Sequence, residues 1–392
     1  MSLPAPLAAR SCHAAVLSMS LCVGLLIAAE FLPVSLLTPI AADLHTSDGM
    51  AGQAISVSGL FAVFASLMVG KLTGQHDRKP VLLCLTALLL LSVLLTALAD
   101  SFAVLMLARA LLGLVIGGFW SLATATVSRL VPAEQLAAAL GTLYMGNAVA
   151  GAFAAPAGSY LGGIIGWRGV FWTLVPLVLL NLYWQWRSLP DLPSPTGQTA
   201  ANPLTLLSLR HVRYALAAVM LTFGGAFSAF TYFRPFLEQL TRVSLPQLSL
   251  LLCGLGLAGF VGTRSASAMV ERHLYPLLGL LPLLLALLTV GLLLTGSLLW
   301  PVAMLLMLWG LVNAAIPVCW SAWMAQGVAG EAERTGGLMV AAIQLAILCG
   351  GAVGGVLLDQ WSIHATFLVS AGLLLMATLL AGGGKRLRPL SA

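Results

Sequence analysis

Twelve apolar runs follow one another along this chain, each long enough to cross a bilayer, and nearly all charge falls between them. They cover residues 14–37, 50–70, 81–99, 102–130, 136–165, 169–186, 213–240, 247–268, 275–297, 300–324, 336–358 and 364–383. A hydrocarbon core takes about 20 helical residues. In lipid every backbone N–H and C=O must be satisfied internally, so runs of this length are helices. Only 8% of the residues are charged and 60% are hydrophobic, where a soluble domain carries roughly 25% charge. Lipid is therefore the solvent, and the expected fold is an all-α polytopic membrane protein with twelve transmembrane helices. The run 102–130 exceeds what the hydrocarbon needs, which predicts tilt or overhang. The first run follows Arg10, is too long for a signal-peptide core and is interrupted by Glu30 and Pro33, so it reads as an uncleaved helix.

An even number of spans puts both termini on one side. With that side assigned to the cytoplasm, fourteen of the eighteen Lys and Arg lie there: Arg10, Lys71, Arg78, Lys79, Arg129, Arg187, Arg210, Arg213, Arg264, Arg272, Arg334, Lys385, Arg386 and Arg388. Arg168, Arg234 and Arg242 lie outside, and Arg109 sits within a span. This bias predicts cytoplasmic termini in a bacterial inner membrane. The longest polar stretch, Ser188 to Leu209, carries Pro190, Pro193, Pro195, Gly197 and Pro203 and reads as a flexible linker. The expected organisation is a six-helix bundle at 1–187, a cytoplasmic linker at 188–212 and a second six-helix bundle at 213–392. A weak repeat supports duplicated halves: Phe31-Leu32-Pro33 matches Phe233-Arg234-Pro235, and Gly113-Leu114-Val115 with Trp120-Ser121 matches Gly310-Leu311-Val312 with Trp320-Ser321.

Several function classes fall away. The net charge of +6 resides in short loops, which is topology rather than a nucleic-acid surface. The six cysteines form no CxxC and mostly lie in apolar runs, so they read as buried hydrophobes rather than metal ligands or disulfides. No GxxxxGK[ST] occurs, and the glycines at 254–262 lie inside an apolar run rather than after a strand. No zinc, serine-triad or paired-carboxylate pattern appears. The expectation is a transporter, not an enzyme, with no cofactor, no metal and no nucleic-acid partner, working as a monomer in the bilayer.

Glu30 is the one acid well inside the spans of the first half. An intramembrane carboxylate costs several kcal/mol unless paired or protonated. Burial favours its neutral form and a nearby cation its charged form, so a group balanced between them exchanges protons near neutral pH. Arg109 is its natural partner: each lies seven residues from the outer end of its run, about 10 Å deep. A structural ion pair, or side chains snorkelling to the interface, is the competing reading.

Small residues recur every four positions in the fifth run, one row at Gly151, Ala155, Ser159 and Gly163 and another at Gly146, Ala150, Ala154, Gly158 and Gly162, with Pro156 between them. Such faces let helices approach closely, as static packing or as a seam along which halves rock, and Pro156 should kink the helix. Mid-span Phe119, Trp120, Asn147, Trp309, Asn313, Trp320, Trp323 and Gln344 are candidate contacts for a flat, polar-edged substrate. The amides carry the stronger signal, because an amide in hydrocarbon must find a partner. Arg234 reads as an interfacial arginine or as part of a gate.

These motifs resemble the major facilitator superfamily, in its drug:proton antiporter branch. Gly70-Lys71-Leu72 with Arg78-Lys79 is similar to the signature between spans two and three, with Gly74 in place of its aspartate and Asp77 in place of its later glycine. Arg109 with Gly113 resembles the span-four arginine motif, and Gly151, Ala155-Pro156 and Gly158 resemble the span-five antiporter motif. Glu30 to Pro39, Gly117 to Trp120, Pro317 to Ser321 and Gln344-Leu345-Ala346 look like the purine-ribonucleoside exporters of that branch, although sugar exporters share a similar Glu-Phe-x-Pro-Val segment. The resemblance implies a major facilitator fold of two pseudo-repeated six-helix bundles. It also implies export of inosine- and guanosine-like nucleosides driven by proton entry, with sugars or drugs as alternative cargo. It places proton coupling at Glu30 and Arg109, substrate contacts at Phe119, Trp120, Asn147, Asn313, Trp320 and Gln344, and conformational roles at Gly70, Arg78, Lys79, Gly151, Pro156 and Gly158.

Overall fold

The computed structural model describes residues 5–72, 77–132, 135–192, 203–327 and 332–388. Among them there is no strand. The helices are α1 Ala5–Ser35, α2 Leu37–Asp43, α3 Asp48–Leu72, α4 Arg78–Ala97, α5 Phe102–Leu130, α6 Leu136–Ser188, α7 Arg210–Phe230, α8 Phe233–Phe236, α9 Leu245–Thr295, α10 Leu299–Gly327, α11 Ala332–Gln360 and α12 Ile363–Ala381. Eleven of their segments are long and apolar enough to cross a membrane. One of these, Ala139–Ser188, holds 50 residues, about 75 Å of helix against a ~30 Å core. It is broken at Gly166 (φ 73°, ψ 163°), a conformation that only glycine adopts without strain, so it crosses twice. The structure thus has the twelve spans the sequence leads one to expect. A second break, at His273 (φ −127°, ψ 23°), divides α9 into two limbs.

The seventh run departs from the single helix expected over 213–240. Helix α7 ends at Phe230, and the chain turns through Thr231 and Tyr232 into α8 and a π turn at Leu237–Thr241. Pro235 has no N–H to give to the Thr231 carbonyl, which ends the regular ladder there.

Helix α1 packs on the first limb of α6, α3 on α5, and α4 on α5 and α6. In the second part of the chain α7 packs on α11 and α12, and α9 on α10 and α12. Contact between these two sets runs mainly through α3 with α11 and through the first limb of α6 with α9. The end of the bundle at which α12 finishes and α4 begins is termed proximal and the opposite end distal. At the distal end Arg168 ties three connections together. Its Nε and Nη2 donate to the Ala99 carbonyl at 2.8 and 2.6 Å, and its Nη1 pairs with Asp43. Trp167 Nε1 donates to the same Asp43 at 3.2 Å while the guanidinium stacks over the Trp167 ring at 4.4 Å.

The small rows of α6 serve two partners. Gly146 lies against the α1 backbone at Ser20 and Gly24, and Gly158 lies against Leu32 and Ser35 of α1. Ser20 Oγ donates to the Thr142 carbonyl at 2.6 Å and accepts from Gly146 N at 3.2 Å. Ala152 and Gly163 instead meet α9 at Gly256 and Leu245. Gly151 has no neighbour within 4 Å of where a Cβ would stand, and Pro156 is buried. A methyl group at Gly146 would collide with the Ser20 carbonyl, and overpacking of this kind costs about 1–3 kcal/mol. Gly146→Val is expected to lower the unfolding temperature of the detergent-solubilised protein. Gly141→Ala, with open space at its Cβ position, is expected to leave it unchanged or raise it.

Candidate functional site

The site begins with a proline. Pro33 lies inside α1 and has no N–H, so the carbonyl four residues earlier, at Ala29, loses its helical donor. Arg109 of α5 supplies the replacement. Its Nη1 donates to the Ala29 carbonyl at 2.8 Å, its Nε to the Ala54 carbonyl of α3 at 2.9 Å, and its Nη2 reaches the Glu30 main-chain carbonyl at 3.4 Å and Ser58 Oγ at 3.3 Å. The guanidinium is 1% exposed. Its planar fork matches acceptors spread over two helices, which a lysine ammonium cannot do. One side chain therefore pins α1, α3 and α5 together inside the bundle.

Glu30 is 3% exposed, next to this node. The structure brings Glu30 and Arg109 together, as equal depth suggests, through the main chain: among the described residues no ion pair joins the carboxylate to the guanidinium. Glu30 Oε1 has no hydrogen-bond partner. A buried carboxyl oxygen without a partner is the costly condition that structural acids avoid.

The neighbouring Phe31 crosses to the other set of helices. Its ring lies 6.1 Å from that of Phe227 and 5.6 Å edge-on from that of Phe230. Phe230 stacks on Trp309 at 6.1 Å, and Phe233 meets Trp309 at 4.8 Å. Trp309 is fully buried, with Nε1 donating to Thr289 at 3.2 Å. The 227/230/233 spacing is a helical stripe visible in sequence. That it meets Phe31 is not.

The candidate substrate residues separate by accessibility. Trp120 is half-buried and stacks on Tyr144 at 5.5 Å, and Asn147 and Asn313 are half-buried. Gln344 is 6% exposed with Oε1 unpartnered, and its main chain packs against Gly59 of α3. Phe119 is fully buried in the packed core. Trp320 is 2% exposed, beside Trp323, and lines a narrow crevice with Thr222, Ile316 and Cys319.

At the proximal end, Asp77 caps α4 by accepting from Lys79 N at 2.8 Å, and the same carboxylate accepts from Leu192 N at 3.0 and 3.1 Å. Arg78 N donates to the Leu192 carbonyl at 3.1 Å, and Lys79 lies 3.9 Å from Asp191. Asp77, in place of the motif's usual glycine, thus anchors the start of the linker. Gly70 lies in the last turn of α3, which ends at Leu72, and Gly74 lies outside the described residues, as does the linker from 193 to 202.

A bundle of twelve spans with an internal arginine node, a buried acid with one unpaired carboxyl oxygen and half-buried amides is the architecture of a multi-pass membrane transporter. Residues 19–336 match the model of the Major Facilitator Superfamily, and the chain belongs to that superfamily. It is 40% identical, over 98% of its length and 96% of theirs, to the purine ribonucleoside efflux pumps NepI of Salmonella paratyphi B and Salmonella typhimurium. It is 46% identical, over 93% of its length and 92% of the relative's, to the transcription regulatory protein OpdE of Pseudomonas aeruginosa. Two solved structures share the fold at 16% identity. One is a bacterial homologue of the human lysosomal transporter Spinster, inward-facing and unoccupied (TM-score 0.76, covering 97% of this chain and 99% of that one). The other is a D-xylose-proton symporter (TM-score 0.77, covering 95% and 97%).

A lysine ammonium has three donors on one atom, so replacing Arg109 by lysine leaves at least one of its four acceptors unserved in a buried place. Charge-assisted bonds of this type are worth about 1.5–3 kcal/mol each. Arg109→Lys is expected to unfold at clearly lower temperature in detergent than the unaltered chain and to lose transport. Ser58→Ala, which removes a long contact to a neutral hydroxyl and leaves the three main-chain acceptors, is expected to stay close to the unaltered chain in both measurements.

Proposed function

We propose that this transporter exports purine ribonucleosides of the inosine and guanosine type by proton antiport, through alternating access. The observation that carries the coupling is Glu30: buried, beside Arg109, with a carboxyl oxygen that has no hydrogen-bond partner among the described residues. Protonated, the carboxyl needs no counter-charge; ionised, it sits in the field of the guanidinium. The extensive identity to purine ribonucleoside efflux pumps supports the cargo. The proximal end faces the cytoplasm of a bacterial inner membrane, in line with the Lys and Arg bias.

In this reading the bodies that move are residues 1–187 and 213–392, joined by the linker 188–212. Trp120, Asn147, Asn313 and Gln344 supply a stacking face and amide partners to the nucleoside, while Phe119 and Trp320 hold the walls behind them. Gly151, Pro156 and Gly158 shape the seam of α6, and Gly70, Arg78 and Lys79 shape the proximal connection between α3 and α4. The protein works as a monomer, with protons and nucleoside as its partners and with no cofactor or metal.

In everted vesicles a proton gradient is expected to drive uptake of inosine, and not of arabinose or a cationic dye. An uncoupler should abolish it. Glu30→Gln is expected to cut gradient-driven flux by about tenfold or more while leaving nucleoside exchange measurable. Full gradient-driven flux in that variant would remove Glu30 from the mechanism. Uptake of the sugar or the dye in place of inosine would favour the alternative of a sugar or multidrug exporter.

A second reading has its own support, the identity to a protein named as a transcription regulator. A membrane sensor that binds a nucleoside without moving it would show binding by reconstituted protein, no accumulation in vesicles, and a change in gene expression when the chain is deleted.

A further inference from the structure

The α1–α3 corner presents two open helix ends to the other set of helices, and that set caps both with matching charges. Helix α1 stops at Ser35. The Ser35 carbonyl would be served by the N–H of residue 39, which is Pro39 and has none. Arg234 Nη1, from α8, donates to that carbonyl. Arg234 is only 8% exposed, and its Nε pairs with Glu238 at 2.8 Å. The other Glu238 oxygen returns to the first set, accepting from Thr38 Oγ1 at 2.6 Å. A cation thus sits on the C-terminus of α1, where the helix dipole favours it.

At the start of α3 the sign is reversed. Asp359, at the distal end of α11, accepts from Gly49 N at 3.0 Å and from Ser47 Oγ at 2.5 Å, while Ser47 Oγ takes the N–H of Met50. An anion thus sits on the N-terminus of α3. Below it the two helices meet through a small-residue seam: Gly355 lies against Gly49 and Gln53, Gln53 Nε2 donates to the Ala352 carbonyl at 3.3 Å, and Gly351 lies against Ser56. Asp359 is four residues beyond Gly355, the next position on the same helical face. All these hydrogen bonds between the sets lie toward the distal end.

We propose that Arg234 with Glu238, and Asp359, form a latch that caps α1 and α3 from the opposite half, holds the distal side closed, and breaks when that side opens. The latch rests on the alternating-access reading above and is independent of the cargo.

The test reads access and not transport. In a chain whose six cysteines are replaced by alanine or serine, a Ser56→Cys reporter lies under the latch at a buried position. It is challenged in reconstituted vesicles with a membrane-impermeant maleimide on the distal side. The reporter is expected to react slowly behind an intact latch, and about tenfold faster when Asp359→Ala or Arg234→Met removes a charge-assisted cap. Asp359 is exposed, so its loss is tolerated by the fold. If Arg234→Met aggregates, Thr38→Val takes its place with a smaller rise. An unchanged rate in monodisperse Asp359→Ala protein overturns the proposal. So does a reporter that already reacts, with the latch intact, as fast as a Trp361→Cys control, whose position is 76% exposed. No nucleoside or gradient is used, so an inactive inosine assay with the expected labelling would refute the cargo alone.

Discussion

Much of this structure depends on carbonyl oxygens that prolines set free in α1. In lipid a main-chain acceptor without a donor is expensive, because no water replaces the lost partner. Pro33 frees the carbonyl of Ala29, and Arg109 takes it together with acceptors on α3. Pro39 denies a donor to Ser35, and Arg234 takes that one from across the molecule. Each break in the helix therefore offers a buried guanidinium a free acceptor, and each guanidinium adds directional bonds between helices that otherwise meet through apolar and small-residue packing.

The first of these nodes also leaves Glu30 in a distinctive state. Arg109 spends its donors on main-chain oxygens, so the neighbouring carboxylate is close to a cation without being locked to it. A tightly formed ion pair would resist proton exchange, since breaking it strands a charge in a dry place. A loosely associated acid is better suited to a cycle in which a proton is taken up on one side and released on the other.

The two sets of helices differ in how they touch along their length. Among the described residues, hydrogen bonds between the sets join Ser35, Thr38, Ser47, Gly49 and Gln53 to the opposite half near the distal end, while glycine and alanine allow close backbone approach between α3 and α11 and between α6 and α9. Such seams hold through many weak contacts and few directional ones, so the directional bonds at the distal rim carry a large share of what orients one set against the other.

Hydrophobic run length and charge placement were enough to read the membrane class, the number of spans and the depth of Glu30 and Arg109, because lipid imposes those constraints on every segment by itself. The prolines four residues beyond Ala29 and Ser35 were also visible, and with them the two carbonyls in want of a donor. Which side chain would answer each was not, since Arg109 and Arg234 come from helices brought close only by packing. For the same reason the apolar stripe of Phe227 and Phe230 gave no hint of Phe31, only burial separates Phe119 and Trp320 from the half-buried Asn147, and nothing local marks Asp359 as a partner of α3. Local chemistry is written along the chain; partnership between distant segments is decided only when the helices meet.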